Sequence, residues 1–148
     1  MLNFAHRTQP LDASLVPGLA LRGELAYFPG AQPLRAVFKE KQTAMQPFVP
    51  DGISNLAGFQ DEYAAALSNN PWLELFPAVL ESLVPMRAGE DWILRDGSGL
   101  ALPVDRHFQS SWELYSLAGG HPLKIFGTWD GFAFLPMSAW FAERHVAL

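Results

Sequence analysis

The sequence contains no cysteine. That one absence removes disulfides, thiolate metal sites and a cysteine nucleophile together, and it fits a reducing compartment. Long apolar runs are also missing. No stretch approaches the roughly 18 uninterrupted apolar residues of a membrane span. The first twenty residues are interrupted by His6, Arg7 and Asp12 and hold no continuous apolar run of the signal-peptide kind. The expected location is therefore cytoplasmic, with no membrane association. Positive charge is scarce too: ten Lys and Arg stand against fifteen Asp and Glu, for a net charge of −5 and a pI near 5.2. The basic residues are scattered, Lys39 and Lys41 being the nearest to a cluster. A nucleic-acid binder needs a basic face to release counterions from phosphates, so direct binding to nucleic acid is disfavoured.

Catalytic signatures are equally thin. The four histidines, His6, His107, His121 and His145, include no pair three to five residues apart, the spacing that would place two metal ligands on one helical face. There is no phosphate-binding loop and no dinucleotide fingerprint. Ser98 lies in Gly97-Ser98-Gly99, which reads as a β turn rather than a strained nucleophile elbow. Gly119-Gly120 precedes a segment that reads as a strand, so it offers no helix N-terminus to a phosphate. Asp96 and Asp130 each precede a glycine, where aspartate is favoured for local backbone bonding. No two carboxylates are marked as an acid–base pair. No cofactor and no metal site is expected.

Aromatic and turn-forming residues are abundant instead. Eleven Phe, five Trp and three Tyr occur in 148 residues, and 49% of the chain is hydrophobic. That is enough for one domain with a real core over residues 1–148. Twelve Gly and twelve Pro favour short elements and a β-rich or mixed structure over a helical bundle. The expected fold class is α+β.

Periodicity divides the chain into three regions. Residues 21–42 alternate around the cluster Pro29-Gly30-Ala31-Gln32-Pro33 and predict an N-terminal β-hairpin. Residues 43–53, with Pro47, Pro50 and Gly52, read as a linker. Residues 54–84 predict a helical hairpin. Its first helix starts at Ser54 and carries Leu56, Phe59, Tyr63 and Leu67 on one face. Its second starts at Asn70-Pro71, carries Trp72, Leu75, Phe76, Val79, Leu80 and Leu83, is kinked at Pro77 and ends at Pro85. Residues 92–141 predict five short antiparallel strands, 92–95, 100–104, 112–117, 122–129 and 132–140. They would form a curved sheet or a small, partly open barrel. Trp92, Trp112, Trp129 and Trp140 fall in four of these strands. Tryptophans in a small sheet are mostly core, with one or two left over to line a peptide-binding groove. Candidate binding residues are Arg35, Arg95, His121, Trp129 and Asp130, functional side chains at strand ends and turns.

Several phrases form a familiar set. They are Gly23-Glu24-Leu25-Ala26-Tyr27-Phe28-Pro29-Gly30 with Pro33-Leu34-Arg35-Ala36; Asn70-Pro71-Trp72 with Phe76-Pro77; Trp92-Ile93-Leu94-Arg95-Asp96 with Leu102-Pro103; and Gly119-Gly120-His121-Pro122 through Phe126-Gly127-Thr128-Trp129-Asp130-Gly131 to Leu135-Pro136. In that order, over residues 21–141, the chain resembles the C-terminal region of bacterial SWIM zinc-finger family proteins. The family's finger uses three cysteines and a histidine, so no zinc ligand carries over to a cysteine-free chain. The resemblance implies an accessory region, free-standing or working beside a separate partner. The leading expectation is a non-enzymatic protein-interaction or accessory module with a protein partner. The alternatives are an enzyme with a site between the helical hairpin and the β unit, and a nucleic-acid-associated accessory protein. The sequence does not fix the oligomeric state.

Overall fold

The computed structural model of the protein describes residues 19–29 and 36–148. Two antiparallel strands come first, β1 (Leu19–Tyr27) and β2 (Ala36–Pro47). They correspond to the expected N-terminal hairpin, but β2 runs five residues past residue 42, into the segment expected to be a linker. The hairpin's turn lies outside the described residues, and Arg35 with it. The pair is a two-stranded sheet of its own. Leu25 pairs with Phe38 and Ala26 with Val37, and Leu25, Tyr27, Val37 and Phe38 are all exposed.

Helix α1 (Leu56–Asn69) forms where the 3.6-residue period predicts it. The cap is Asn55 rather than Ser54: its Oδ1 accepts a hydrogen bond from the Gly58 amide at 2.8 Å, meeting one of the orphan donors of a helix start. Leu56 and Phe59 are buried on its inner face.

The second helix of the expected helical hairpin is instead β3 (Phe76–Ala88), a thirteen-residue strand at the middle of the molecule. The helix-like spacing of its apolar residues has a specific cause. Ala78 and Leu80 point inward, then Leu83 and Pro85, and the alternation slips between Leu80 and Leu83, where the pairing register shifts. Ser82 in that bulge has a φ of 57°, the left-handed geometry that a bulge residue adopts at some cost outside glycine. The bulge puts one step of three among steps of two, so Leu80 and Leu83 fall three apart, as on a helical face.

The remaining elements are β4 (Asp91–Arg95), β5 (Ala101–Pro103), α2 (Ser111–Ala118), β6 (Leu123–Trp129), β7 (Phe134–Phe141) and β8 (Arg144–Ala147). Here another expectation is corrected. Residues 112–117 are helical, with Ser111, Leu114 and Ala118 buried on one face. Gly119, left-handed at φ 53°, caps the C-terminus, the usual place for glycine at a helix end. The unit from 92 to 141 thus holds four strands and a helix, not five strands. Its sheet is completed by β3 before it and β8 after it, in the order β5-β4-β3-β6-β7-β8, and each neighbouring pair is antiparallel.

β3 serves both halves of this sheet. Residues 76–83 pair with β6 and residues 84–88 with β4. The sheet curls until Val104, just past β5, makes an isolated parallel bridge with Phe134 in β7, and the Asp105 amide donates to the Phe134 carbonyl at 2.9 Å. The sheet is curved but not a closed barrel. Helix α2 packs on β3 and β7, and α1 on β3. Between helices and sheet lies one core that includes Phe59, Leu80, Leu83, Leu94, Leu114, Leu123, Ile125 and Phe134, all 1% exposed or less. Fully burying one such side chain stabilises by about 1.5–3 kcal/mol before conformational entropy is counted.

Residues 48–53 join the hairpin to α1 as a strap across three strands. The Trp140 indole Nε1 of β7 donates to the Phe48 carbonyl at 3.1 Å. Lys124 Nζ of β6 donates to the Pro50 carbonyl at 2.7 Å and pairs with Glu81 of β3 at 2.8 Å. Glu81 Oε1 in turn accepts from the Gly52 amide at 3.1 Å. Ile53 then bridges Leu80 in parallel. Lys124 holds the Glu81 carboxyl below the ordinary carboxylate range, with the Gly52 amide adding to the effect against the cost of burial.

Candidate functional site

The sheet corner where β3 turns into β4 carries the most complex surface on the described residues. The turn at Gly89 (φ 65°) places Glu90 and Asp91 beside the loop that follows β5. Asp91 and Arg106 join these two segments through a forked ion pair, Nε to Oδ1 at 3.0 Å and Nη2 to Oδ2 at 3.3 Å. Both side chains are open to solvent, so the pair orders the corner more than it stabilises the fold. Asp105 Oδ1 accepts from the His107 amide at 2.7 Å, and Gln109 Nε2 donates to the His107 carbonyl at 3.0 Å.

Two grooves flank this ion pair. One, of about 470 Å³, lies on the α2 side, between Trp92, Phe108 and Trp112, with Glu90, Asp91 and Asp105 at its rim. The other, of about 520 Å³, is lined by Ile93, Pro103, Phe132 and Asp130, among others. The alternation of β4 separates them: Trp92 faces α2, and Ile93 faces away.

The α2-side groove ends in three aromatic rings. Trp92 meets Trp112 edge to face at a centroid distance of 4.9 Å and an angle of 84°. Tyr115 lies 6.1 Å from Trp112 at 90° and 5.7 Å from Trp92. Trp112 and Tyr115 are three residues apart on α2, hence on one helical face, and they stay 60% and 43% exposed. The Arg87 guanidinium, cross-strand from Trp92, sits 5.7 Å over the Trp112 ring, and Arg87 Nε donates to the Gly89 carbonyl at 3.0 Å.

The structure disperses the residues singled out from sequence. Arg95 is exposed at the end of β4, paired through its backbone with Val84 and Ala101. His121 is exposed in the turn after α2, and its amide donates to the Ala118 carbonyl at 2.8 Å. Because β3 joins Arg95 to the start of β6, these two share one end of the sheet. Asp130 and His121 flank opposite ends of β6, whose seven residues span roughly 23 Å at about 3.3 Å per residue. Asp130 lines the second groove, but its Oδ1 already accepts from the Phe132 and Ala133 amides at 2.7 Å each. Those amides hold its carboxyl below the ordinary range. Trp129 is half-buried and packs edge-on against Phe59 (5.9 Å) and Tyr63 (6.4 Å), so it pins α1 to the sheet. Arg35 lies outside the described residues. Glu90, Asp91 and Arg106 were not among the candidate binding residues, and Trp112 was only one of four tryptophans from which a groove lining was expected. The corner they share is made by the fold, and no local motif announces it.

Among the described residues, no group of three His, Asp or Glu is placed to hold a metal ion, and no helix is long and apolar enough to cross a membrane. No protein-family model, no curated protein and no solved structure matches the chain.

Proposed function

We propose that the protein is a non-enzymatic protein-interaction module that takes a basic segment of a partner protein in the α2-side groove. The observation that carries this reading is the groove's composition: two tryptophans and a phenylalanine as walls, and three carboxylates against one arginine, Arg106. The exposed Trp112, backed by the half-buried Trp92 and Phe108, gives a partner segment apolar contact with little loss of freedom. A carboxylate rim on a chain of net charge −5 attracts basic partners and repels phosphates. On this reading the chain is a relative of the accessory region of SWIM zinc-finger proteins. His121 and Asp130, exposed at opposite ends of β6, do not converge, which supports binding over the catalytic alternative.

The test is a titration with an unstructured peptide of alternating arginine and glycine, followed by tryptophan fluorescence. Saturable binding is expected with a Kd of order 10–100 µM in low salt, weakening as ionic strength rises. A flat titration to millimolar peptide in low salt would overturn the proposal.

A further inference from the structure

We infer that the groove's specific ligand is an arginine side chain, seated on the Trp112 ring that the protein's own Arg87 covers in the free state. This rests on the peptide-groove reading above and names the chemistry that decides which basic segment is taken.

The argument starts from Arg87. Among the described residues its guanidinium has no ion-pair partner; it holds one backbone carbonyl, that of Gly89, and the face of Trp112. An aromatic face carries negative quadrupole density and attracts a cation. Trp112 is therefore shown by the protein itself to accept a guanidinium. Trp92 and Tyr115 pack against it roughly at right angles and hold the exposed Trp112 ring in place.

The second observation is Glu90. It sits at the rim of the same groove, exposed and without an ion pair among the described residues, while its neighbour Asp91 is already held by Arg106. An incoming guanidinium can stack on Trp112 and meet the free Glu90 carboxylate with two parallel N–H donors. Lysine, a compact and strongly hydrated point charge, stacks less well and cannot form the fork. Arg87 keeps the ring covered without competing strongly, because an exposed cation–π contact is weak.

The experiment follows the indole N–H resonances of the intact protein during titration with three peptides that differ at one position: arginine, lysine or citrulline, the neutral isostere of arginine. The arginine peptide should bind at least about threefold tighter than the lysine peptide and about tenfold tighter than the citrulline one. Arg87→Met should tighten the arginine peptide by about two- to fivefold. Trp112→Ala should weaken it about tenfold or more, and Trp112→Phe less, both being substitutions of an exposed residue that leave the core intact. Equal binding of all three peptides, or an Arg87→Met variant no tighter than the parent, overturns this inference and leaves the groove reading standing. No binding by any peptide overturns the groove reading itself.

Discussion

Asp96 opens the turn between β4 and β5, yet its main work is done elsewhere. It is only 6% exposed. Its Oδ2 accepts from the Leu56 amide, the first residue of α1, at 3.0 Å. Its Oδ1 accepts from the Ser98 hydroxyl at 2.6 Å and from the Ser98 and Leu100 amides at 2.9 and 3.1 Å. One carboxylate thus closes its own turn and caps a helix that begins forty residues earlier, where negative charge suits the helix dipole. The Ser98 hydroxyl bond first, then the Leu56 amide, hold its carboxyl below the ordinary value of 3.8. A depressed folded pKa gives a contribution that is present above the unfolded pKa and is lost as pH falls through the folded value. Asp96→Asn should therefore cost about 2 kcal/mol at pH 7, and the gap to the parent should narrow below about pH 4. Urea midpoints at pH 7 and pH 3 measure both; an equal gap at the two values would contradict the assignment. The turn role of Asp96 was legible in Asp96-Gly97. The capping role was not, because only the fold brings Leu56 to it.

At the scale of elements, legibility followed the length and regularity of each period. α1 runs for fourteen residues, and its period identified it. The hairpin around β6 and β7 was marked by Asp130-Gly131. The two misread segments share a cause. β3 is broken by a bulge at Ser82, and α2 has only eight residues, too few for alternation and helical spacing to separate. Pro77 and Pro85 were the signals available against a helix, and Gly119-Gly120 the signal for a helix end. The groove corner was illegible for a related reason: it joins the β3–β4 turn to the β5–α2 loop, and a misread α2 removes the wall that Trp112 provides. A further element-scale constraint sits in β6, where the pairing shifts between Phe126 and Gly127. A Cβ on Gly127 would collide with the Leu135 carbonyl oxygen and lie 2.7 Å from the ring of the fully buried Phe134. Neither neighbour is free to move. Gly127→Ala should destabilise by about 3 kcal/mol through overpacking, read as a lowered urea midpoint with an unchanged slope. A loss under about 0.5 kcal/mol would show that β6 and β7 separate more easily than their packing indicates.

Over the whole molecule, the groove and the hairpin of β1 and β2 are different kinds of surface. The groove is set in a packed sheet. The hairpin, roughly 30–40 Å long at about 3.3 Å per residue, has exposed apolar side chains, and two strands alone are at best marginally stable in water. Among the described residues it is joined to the body through the strap at residues 48–53. That attachment has a consequence in time. The strap leaves the ribosome before β6 and β7, the strands it must cross, and the bond from Trp140 to Phe48 spans 92 residues of chain. Closing so large a loop is favourable only once the sheet is built, so the strap docks after the folding transition state and is the last part to settle. Trp140→Phe, which removes the indole donor, should speed unfolding and leave the folding rate nearly unchanged, with a φ-value near zero in a denaturant chevron. A φ-value near one would mean that the strap guides the sheet's assembly. With the expected value, a nascent chain carries the segment before α1 undocked until β7 has been made.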